Sequence, residues 1–418
     1  MSLRAGIAGD LQRSFLDPID QAHSSQMIGE FLGLPFLGFA LTIAIGSALL
    51  DWIGMAILLP LSGLFFLVGT LTMIFAGTLS SGVGVYHALC VGAFLSGVAW
   101  GLVETVINPL VATLYSDDKT TRMNRLHAWL QGGLMIGGLL GVGMGQLGLG
   151  WRAKILTILI PALTGTVMCF RMKFPPTERV AAGVSWMGML KQLLHPMFFL
   201  LFCVMFLTAA TEQAPGQWID LALTRVVHMR GILLLVYVSG IMFVARHFAG
   251  PLVHRLSSVG LLWVSCALAA IGLWGLSFAN SPVTAILAAT FWGCGVSYMW
   301  PTMLAMGSER FPRGGALLMG LLGTAGTLSI HFVLPQMGKV FDNKLAQLAG
   351  GSANLKFTSG PMLEQMKIVA ARSSFRVVAI LPVILLFVFG PLWLYDRAKG
   401  GFKAKKIEPA DECLPETL

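Results

Sequence analysis

The sequence predicts an all-α polytopic membrane protein made of two pseudo-symmetric six-helix bundles, with the first helix largely missing. Three observations predict it. Of the 418 residues, 56% are hydrophobic and only 11% are charged, where a typical soluble domain carries about 25% charged residues. With a mean hydropathy of +0.78, the chain cannot cover a water-facing surface. Apolar runs also recur from position 31 to 395, each near the roughly 20 residues that cross about 30 Å of hydrocarbon as a helix. They are continuously apolar rather than alternating, which favours helices over a membrane barrel. Lastly, the two halves of the chain repeat one another.

Read in order, the hydropathy gives eleven spans: 28–50, 56–77, 85–114, 124–147, 151–170, 196–218, 229–249, 259–279, 281–304, 314–337 and 374–395. Two six-helix halves need one more span before residue 28, where only MSLRAGIAGDL is available. That fragment reads as the last turns of a first helix, followed by a polar outer loop at 10–27. The sequence therefore divides into an N-terminal bundle (1–170), a central cytoplasmic loop (171–195), a C-terminal bundle (196–395) and a basic cytoplasmic tail (396–418). Within the central loop, 186–194 reads as an amphipathic surface helix. The 49 glycines suit helices that approach closely through small residues, most densely in GGLMIGGLLGVGMG at 132–145.

The repeat is visible in two places. A helix with a Pro, a short charged loop and a Gly-rich helix occur around Pro109 and again around Pro301. SALLDWIG at 47–54 likewise matches GPLVHRLS at 250–257. Repetition of this kind marks transporters built from two halves, with the site near the midplane between them.

The net charge of +9 does not point to nucleic acid, because no basic stripe interleaves with aromatics. Lys and Arg instead alternate along the loops: Lys119, Arg122 and Arg125; then Arg171, Lys173, Arg179 and Lys191; then Arg246 and Arg255; then Arg310, Arg313 and the tail. Positive residues mark cytoplasmic loops, which places the C-terminus there; the expected setting is the inner membrane, with the protein a multi-pass monomer. The long 338–373 segment also carries Lys, but long loops are weak topology signals. Six cysteines are scattered singly, with neither metal-ligand nor redox spacing. No GxxxxGK[ST], HExxH or credible GxSxG triad occurs, so neither an enzyme nor an ATP-driven pump is expected, and no cofactor or metal.

The chemistry sits in buried polar residues. A charged side chain at the bilayer centre costs roughly 2.5–3.5 kcal/mol on insertion scales and is a functional suspect by default. Glu104 is the first, sharing a helical face with Trp100 and Asn108, four residues apart. Asn124, His127 and Gln131 share a face on the next span. A carboxylate with amide and imidazole neighbours can hydrogen-bond a polyol and exchange a proton. A structural role, fastening helices together, is the alternative for each of these residues. Arg122 with Asp117 and Asp118 reads as a gate-like loop pair. In LTAATEQAPGQWI at 207–219, Pro215 and Gly216 are expected to break the helix beside Glu212 and Gln213. Trp292, Tyr298 and Trp300 flank Ser297 on a later span, and Thr324, Thr327 and His331 share a face on the one after it. Aromatics there could stack on a sugar ring, or form an interface belt.

These residues resemble those of a major facilitator superfamily transporter, and within it the fucose/proton symporter family of sugar carriers. ETVINP at 104–109 is similar to that family's Glu-Thr-x-x-Asn-Pro signature, and SYMWPT at 297–302 to its Ser-x-Met-Phe-Pro-Thr signature. RMN at 122–124 with Gly133, and ATE at 210–212, extend the likeness over nearly the whole chain. The resemblance implies the major facilitator fold, with Glu104 as the membrane-embedded carboxylate for proton coupling or sugar binding and Asn108 as its support. His127 stands where the family usually has Gln. The family's acidic residue on the first helix has no counterpart, and Asp51 and Gly54 lack the usual basic neighbours.

The expectation that follows is a secondary active transporter carrying a small sugar, hexose or deoxyhexose, with protons, by alternating access. Glu104, Asn108, His127, Gln131, Glu212, Gln213, Ser297 and Trp300 are the candidate substrate contacts, and Glu104 is the proton-coupling group. The alternatives are a carrier for another substrate, such as drug efflux, and a non-transporting sensor or truncated remnant.

Overall fold

The computed structural model describes residues 2–20, 24–227, 231–351, 360–402, 404, 405 and 407. Its first half runs α1 (Ser2–Leu11), α2 (Asp17–Asp20), α3 (Ser24–Ile53), α4 (Met55–Ile74), α5 (Ala76–Leu79), α6 (Val83–Leu114), α7 (Lys119–Gln146), α8 (Trp151–Leu156) and α9 (Leu159–Cys169). The linker carries α10 (Glu178–Ala181) and α11 (Trp186–Lys191). The second half is α12 (Pro196–Val227), α13 (Gly231–His247), α14 (Ala249–Leu276), α15 (Pro282–Val296), α16 (Met299–Arg310), α17 (Gly315–Leu348) and α18 (Gly360–Ala398). Among the described residues ten helices are long and apolar enough to cross a membrane, and Leu233–His247 is a shorter apolar one. Each overlaps one of the spans read from hydropathy.

Most helices pack chiefly within their own half, α6 against α3 and α4, and α14 against α15 and α18, whereas α7 packs chiefly against the second half. The halves meet chiefly through two helix pairs, α7 with α13 and α3 with α17. Glycine makes both joints possible. A Cβ on Gly320 of α17 would stand 2.1 Å from Ser47 Oγ of α3. On α7, a Cβ at Gly132 or Gly138 would stand 2.9 Å from Phe243 or Val236 of α13. The Gly-rich run of 132–145 thus serves the contact between halves. Ahead of α3, the short α1 lies against α7 and α8 with Ile7 and Leu11 fully buried.

The internal repeat reaches the backbone. Gly54 closes SALLDWIG with φ 90, and Ser257, at the matching place in GPLVHRLS, has φ 65. Gly54 follows α3 and Ser257 forms a kink inside α14, and Ser257 holds its positive φ without the freedom of a glycine.

Three expectations change. The helix at 207–219 is not broken: α12 runs unbroken through Pro215. Most of the 338–373 segment is helical, because α17 continues to Leu348 and α18 begins at Gly360. Residues 352–359 lie outside the described residues. Lys119 and Arg246 are not loop charges but buried side chains, at 1% and 0% exposure. The surface helix expected at 186–194 is α11 followed by a 3-10 turn, capped where Ser185 Oγ accepts the Gly188 N–H at 3.1 Å.

At the end of the bundle that holds the linker, polar groups lock the halves together. Glu309 of α16 accepts from Thr120 N at 3.2 Å, Thr120 Oγ1 at 2.6 Å and Ser258 Oγ at 3.2 Å. Its carboxylate therefore caps the first turn of α7, where unpaired N–H groups and the helix dipole favour a negative charge. Lys119 bonds Glu178 of the linker at 2.6 Å and Ser308 of α16 at 3.3 Å. Asp51 receives Thr177 Oγ1 at 2.7 Å and Arg179 Nε at 2.9 Å.

Candidate functional site

A cavity of about 180 Å³ lies between the halves, from mid-bundle toward the end away from the linker. Pro35 and Phe36 of α3, Trp100 and Glu104 of α6, and Gln131 of α7 line it from the first half. Glu212 and Gln213 of α12, Ser239 and Arg246 of α13, Trp292 of α15, Trp300 of α16 and Thr327 of α17 line it from the second. Arg4 of α1 completes the wall. Aromatic rings and carboxamides facing one another in one small space can hold a molecule by its faces and its hydroxyl edges.

On the first-half side the polar groups form a chain. Asn108 Nδ2 donates to Glu104 Oε2 at 2.7 Å, and Asn108 Oδ1 meets His127 Nε2 at 2.9 Å. His127 Nε2 also stands 4.0 Å from Glu104 Oε2. No Lys or Arg nitrogen pairs with Glu104 among the described residues. Helical spacing explains the arrangement, since residues 104 and 108 sit one turn apart on α6 and α7 brings His127 up beside them.

On the second-half side the centre is Arg246. Its Nη2 donates to Glu212 Oε1 at 2.8 Å and its Nη1 crosses to the His127 carbonyl at 2.9 Å. Its Nε donates to the Ser297 carbonyl. That carbonyl is free because Pro301 has no N–H to offer it, and the helix breaks there into α15 and α16. The other carboxylate oxygen of Glu212 accepts the Trp300 N–H at 3.1 Å. The ion pair thus satisfies both the acceptor and the donor that the break exposes. A second proline acts the same way. Pro215 frees the carbonyl of Thr211, and Trp292 Nε1 donates to it at 3.2 Å.

The expected contacts therefore separate. Glu104, Gln131, Glu212, Gln213 and Trp300 line the cavity. Asn108 and His127 are buried behind Glu104 and support it. Ser297 turns its hydroxyl to Gly293 O at 2.6 Å on its own helix, and it is its carbonyl that serves Arg246. Thr324 and Thr327 bond back to Gly320 and Gly323 at 3.0 Å, and His331 is exposed. Tyr298 donates to Ala245 O at 3.1 Å. Arg122 and Asp118 form a half-exposed pair at 3.6 Å at the linker end. Asn124 reaches Thr302 Oγ1 at 3.0 Å across the halves. Sequence reasoning missed Arg246 and Arg4 as cavity residues. Among the described residues no cluster of His, Cys, Asp or Glu is arranged to hold a metal ion.

The family model described as Major Facilitator Superfamily matches residues 5–333. The chain belongs to the major facilitator superfamily. It is a multi-pass membrane transporter and not an enzyme. No curated protein matches the sequence. Among solved structures, the fucose:proton symporter FucP of E. coli superposes with a TM-score of 0.62 at 16% identity, over 92% of this chain and 96% of that one. The proton:xylose symporter XylE of E. coli superposes with a TM-score of 0.70 at 15% identity, over 94% and 92%. The human organic anion transporter MFSD10 gives 0.63 at 14%, over 93% and 89%. At such identities the likeness is one of fold.

Proposed function

We propose that this transporter is a symporter that carries a small sugar, of hexose or deoxyhexose size, together with a proton. The observation that carries the reading is the contrast between its two cavity carboxylates. Glu212 is committed to Arg246, whereas Glu104 faces the cavity with neutral hydrogen-bond partners, the Asn108 amide and the Trp100 indole, and with the His127 imidazole 4.0 Å away. Intramembrane carboxylates of the second kind serve proton relays, and Glu104 is the group assigned to take up and release the proton. Trp100, Trp292 and Trp300 offer apolar faces for a sugar ring, while Gln131 and Gln213 offer hydrogen bonds to its hydroxyls. Two of the structural neighbours, FucP and XylE, are sugar:proton symporters by name.

The cavity also speaks to the alternatives. At about 180 Å³ it falls below the roughly 300–1,000 Å³ of pockets for drug-sized ligands, which favours a small solute over an amphipathic drug. The closed linker end is then the cytoplasmic side, as the basic loops indicate. Substrate and proton enter from outside, and rocking of the halves about α7–α13 and α3–α17 releases them inside. The transporter works as a monomer in the inner membrane, with its tail in the cytoplasm.

The test is uptake of a labelled sugar panel into proteoliposomes under an imposed pH gradient, wild type against Glu104→Gln. Accumulation of one sugar that is lost in Glu104→Gln while equilibrative exchange survives is the expected result. Accumulation that persists in Glu104→Gln removes Glu104 as the coupling group, and an absence of uptake for every sugar removes the sugar reading.

A further inference from the structure

The four charged side chains on the cavity wall are Arg4, Glu104, Glu212 and Arg246. Arg246 and Glu212 neutralise each other at 2.8 Å. Arg4 is different. It is only 9% exposed, and its Nε is buried with no hydrogen-bond partner. No ion pair reaches it among the described residues, although Asp10, further along the same helix, pairs with Arg13 at 2.7 Å and lies 3.8 Å from Lys154. A buried guanidinium without a counter-charge is costly, and proteins hold such groups where a ligand supplies the missing anion.

We infer that Arg4 is an anion-binding group of the substrate site, and that the substrate is a small hydroxylated monocarboxylate, a sugar acid rather than a neutral sugar. This rests on the symporter reading and names the substrate class for the same cavity. The guanidinium presents planar paired donors that match a carboxylate in bidentate geometry. The remaining wall supplies what the rest of such a molecule needs, amide and carboxylate partners for hydroxyls and three tryptophans for a ring face. Charge balance agrees. When Glu104 holds a proton, Arg4 is the one uncompensated charge on the wall, and a single carboxylate cancels it. One proton and one monoanion then cross together with no net charge.

That electroneutrality gives a test independent of any variant. Wild-type protein in proteoliposomes is offered labelled D-glucuronate and D-gluconate, with D-glucose as the uncharged comparison, under a pH gradient. A potassium diffusion potential set by valinomycin is present or absent. The expected result is accumulation of an acid that follows the pH gradient and ignores the imposed potential. Arg4→Gln should raise the half-saturating concentration of that acid roughly tenfold or more, the scale of a lost charge-assisted hydrogen bond, and Arg4→Lys should recover part of the loss. If glucose alone accumulates, in a potential-sensitive manner, and neither acid competes with it, the anion site is overturned while the sugar/proton symporter stands. Acid uptake with the same half-saturation in Arg4→Gln also overturns it. If none of the three solutes moves, the anion site is overturned, and the wider sugar panel decides the symporter reading by itself.

Discussion

At the scale of single residues, Arg246 organises the middle of the molecule. It is fully buried, yet each of its three donor nitrogens has an acceptor: a carboxylate, a carbonyl of its own half and a carbonyl of the other half. Removing one member of a buried ion pair leaves an uncompensated charge and typically costs about 3–5 kcal/mol, whereas replacing both with apolar groups is often close to neutral. Arg246→Met should therefore lower the thermal unfolding temperature in detergent far more than Arg246→Met combined with Glu212→Met. Equal destabilisation by the single and double variants would show that the pair is not the unit. Sequence pattern could find Glu104, because a carboxylate inside an apolar run stands out. It could not find Arg246, which sits close to the end of the 229–249 span and reads there as an ordinary loop charge. Nor could it tell that Asn108 and His127 face Glu104 rather than the cavity. Spacing puts residues on one face of a helix, but which partner fills that face depends on how α6 and α7 are rotated against each other.

At the scale of helices, proline has two outcomes in this chain, and neither is the one its position alone suggests. Pro215 lies inside α12 without ending it, because the carbonyl it frees at Thr211 is taken by the Trp292 indole. Pro301 follows a real break, and there the freed groups are taken by an ion pair. The spans themselves were legible, since each needs only length and apolar content. Where a helix breaks was not, because that depends on whether a distant side chain can catch the orphaned group. A double-mutant cycle checks this account. Trp292→Phe should cost about 1–3 kcal/mol, the penalty for leaving a buried carbonyl unpaired. In a Pro215→Ala background the restored N–H at 215 can bond Thr211 O, so the same substitution should cost distinctly less. Thermal unfolding of the four proteins decides it, and purely additive effects would mean that the indole is not serving the proline-freed carbonyl.

At the scale of the whole molecule, the two halves touch through glycine-lined helix pairs that allow sliding and through a polar interlock that holds one end shut. The interlock is asymmetric. Glu309 of the second half caps the first turn of α7 in the first half, while Lys119 and Asp51 are tied to Glu178 and Arg179 of the linker. Closure at that end leaves the cavity on the opposite side of Glu104 and Arg246. The proposed alternating access requires the interlock to part, and the equilibrium between the two states then depends on what these bonds are worth. Hydrogen bonds to a charged acceptor contribute about 1.5–3 kcal/mol each, so Glu309→Ala should move the population toward opening at the linker end by roughly ten- to a hundredfold. Thr121 reports on this, because it is buried at the same joint, with its Cγ2 3.2 Å from the place a Cβ on Gly250 would occupy. In a background cleared of native cysteines, Thr121→Cys should react slowly with a hydrophilic maleimide applied from the linker side, and much faster once Glu309→Ala is added. A rate that does not change with Glu309→Ala would mean that the closed end is held by helix packing at Gly320 and Gly132 rather than by the polar lock. In that case Gly320→Ala, which forces a methyl against Ser47, would be the substitution that opens it.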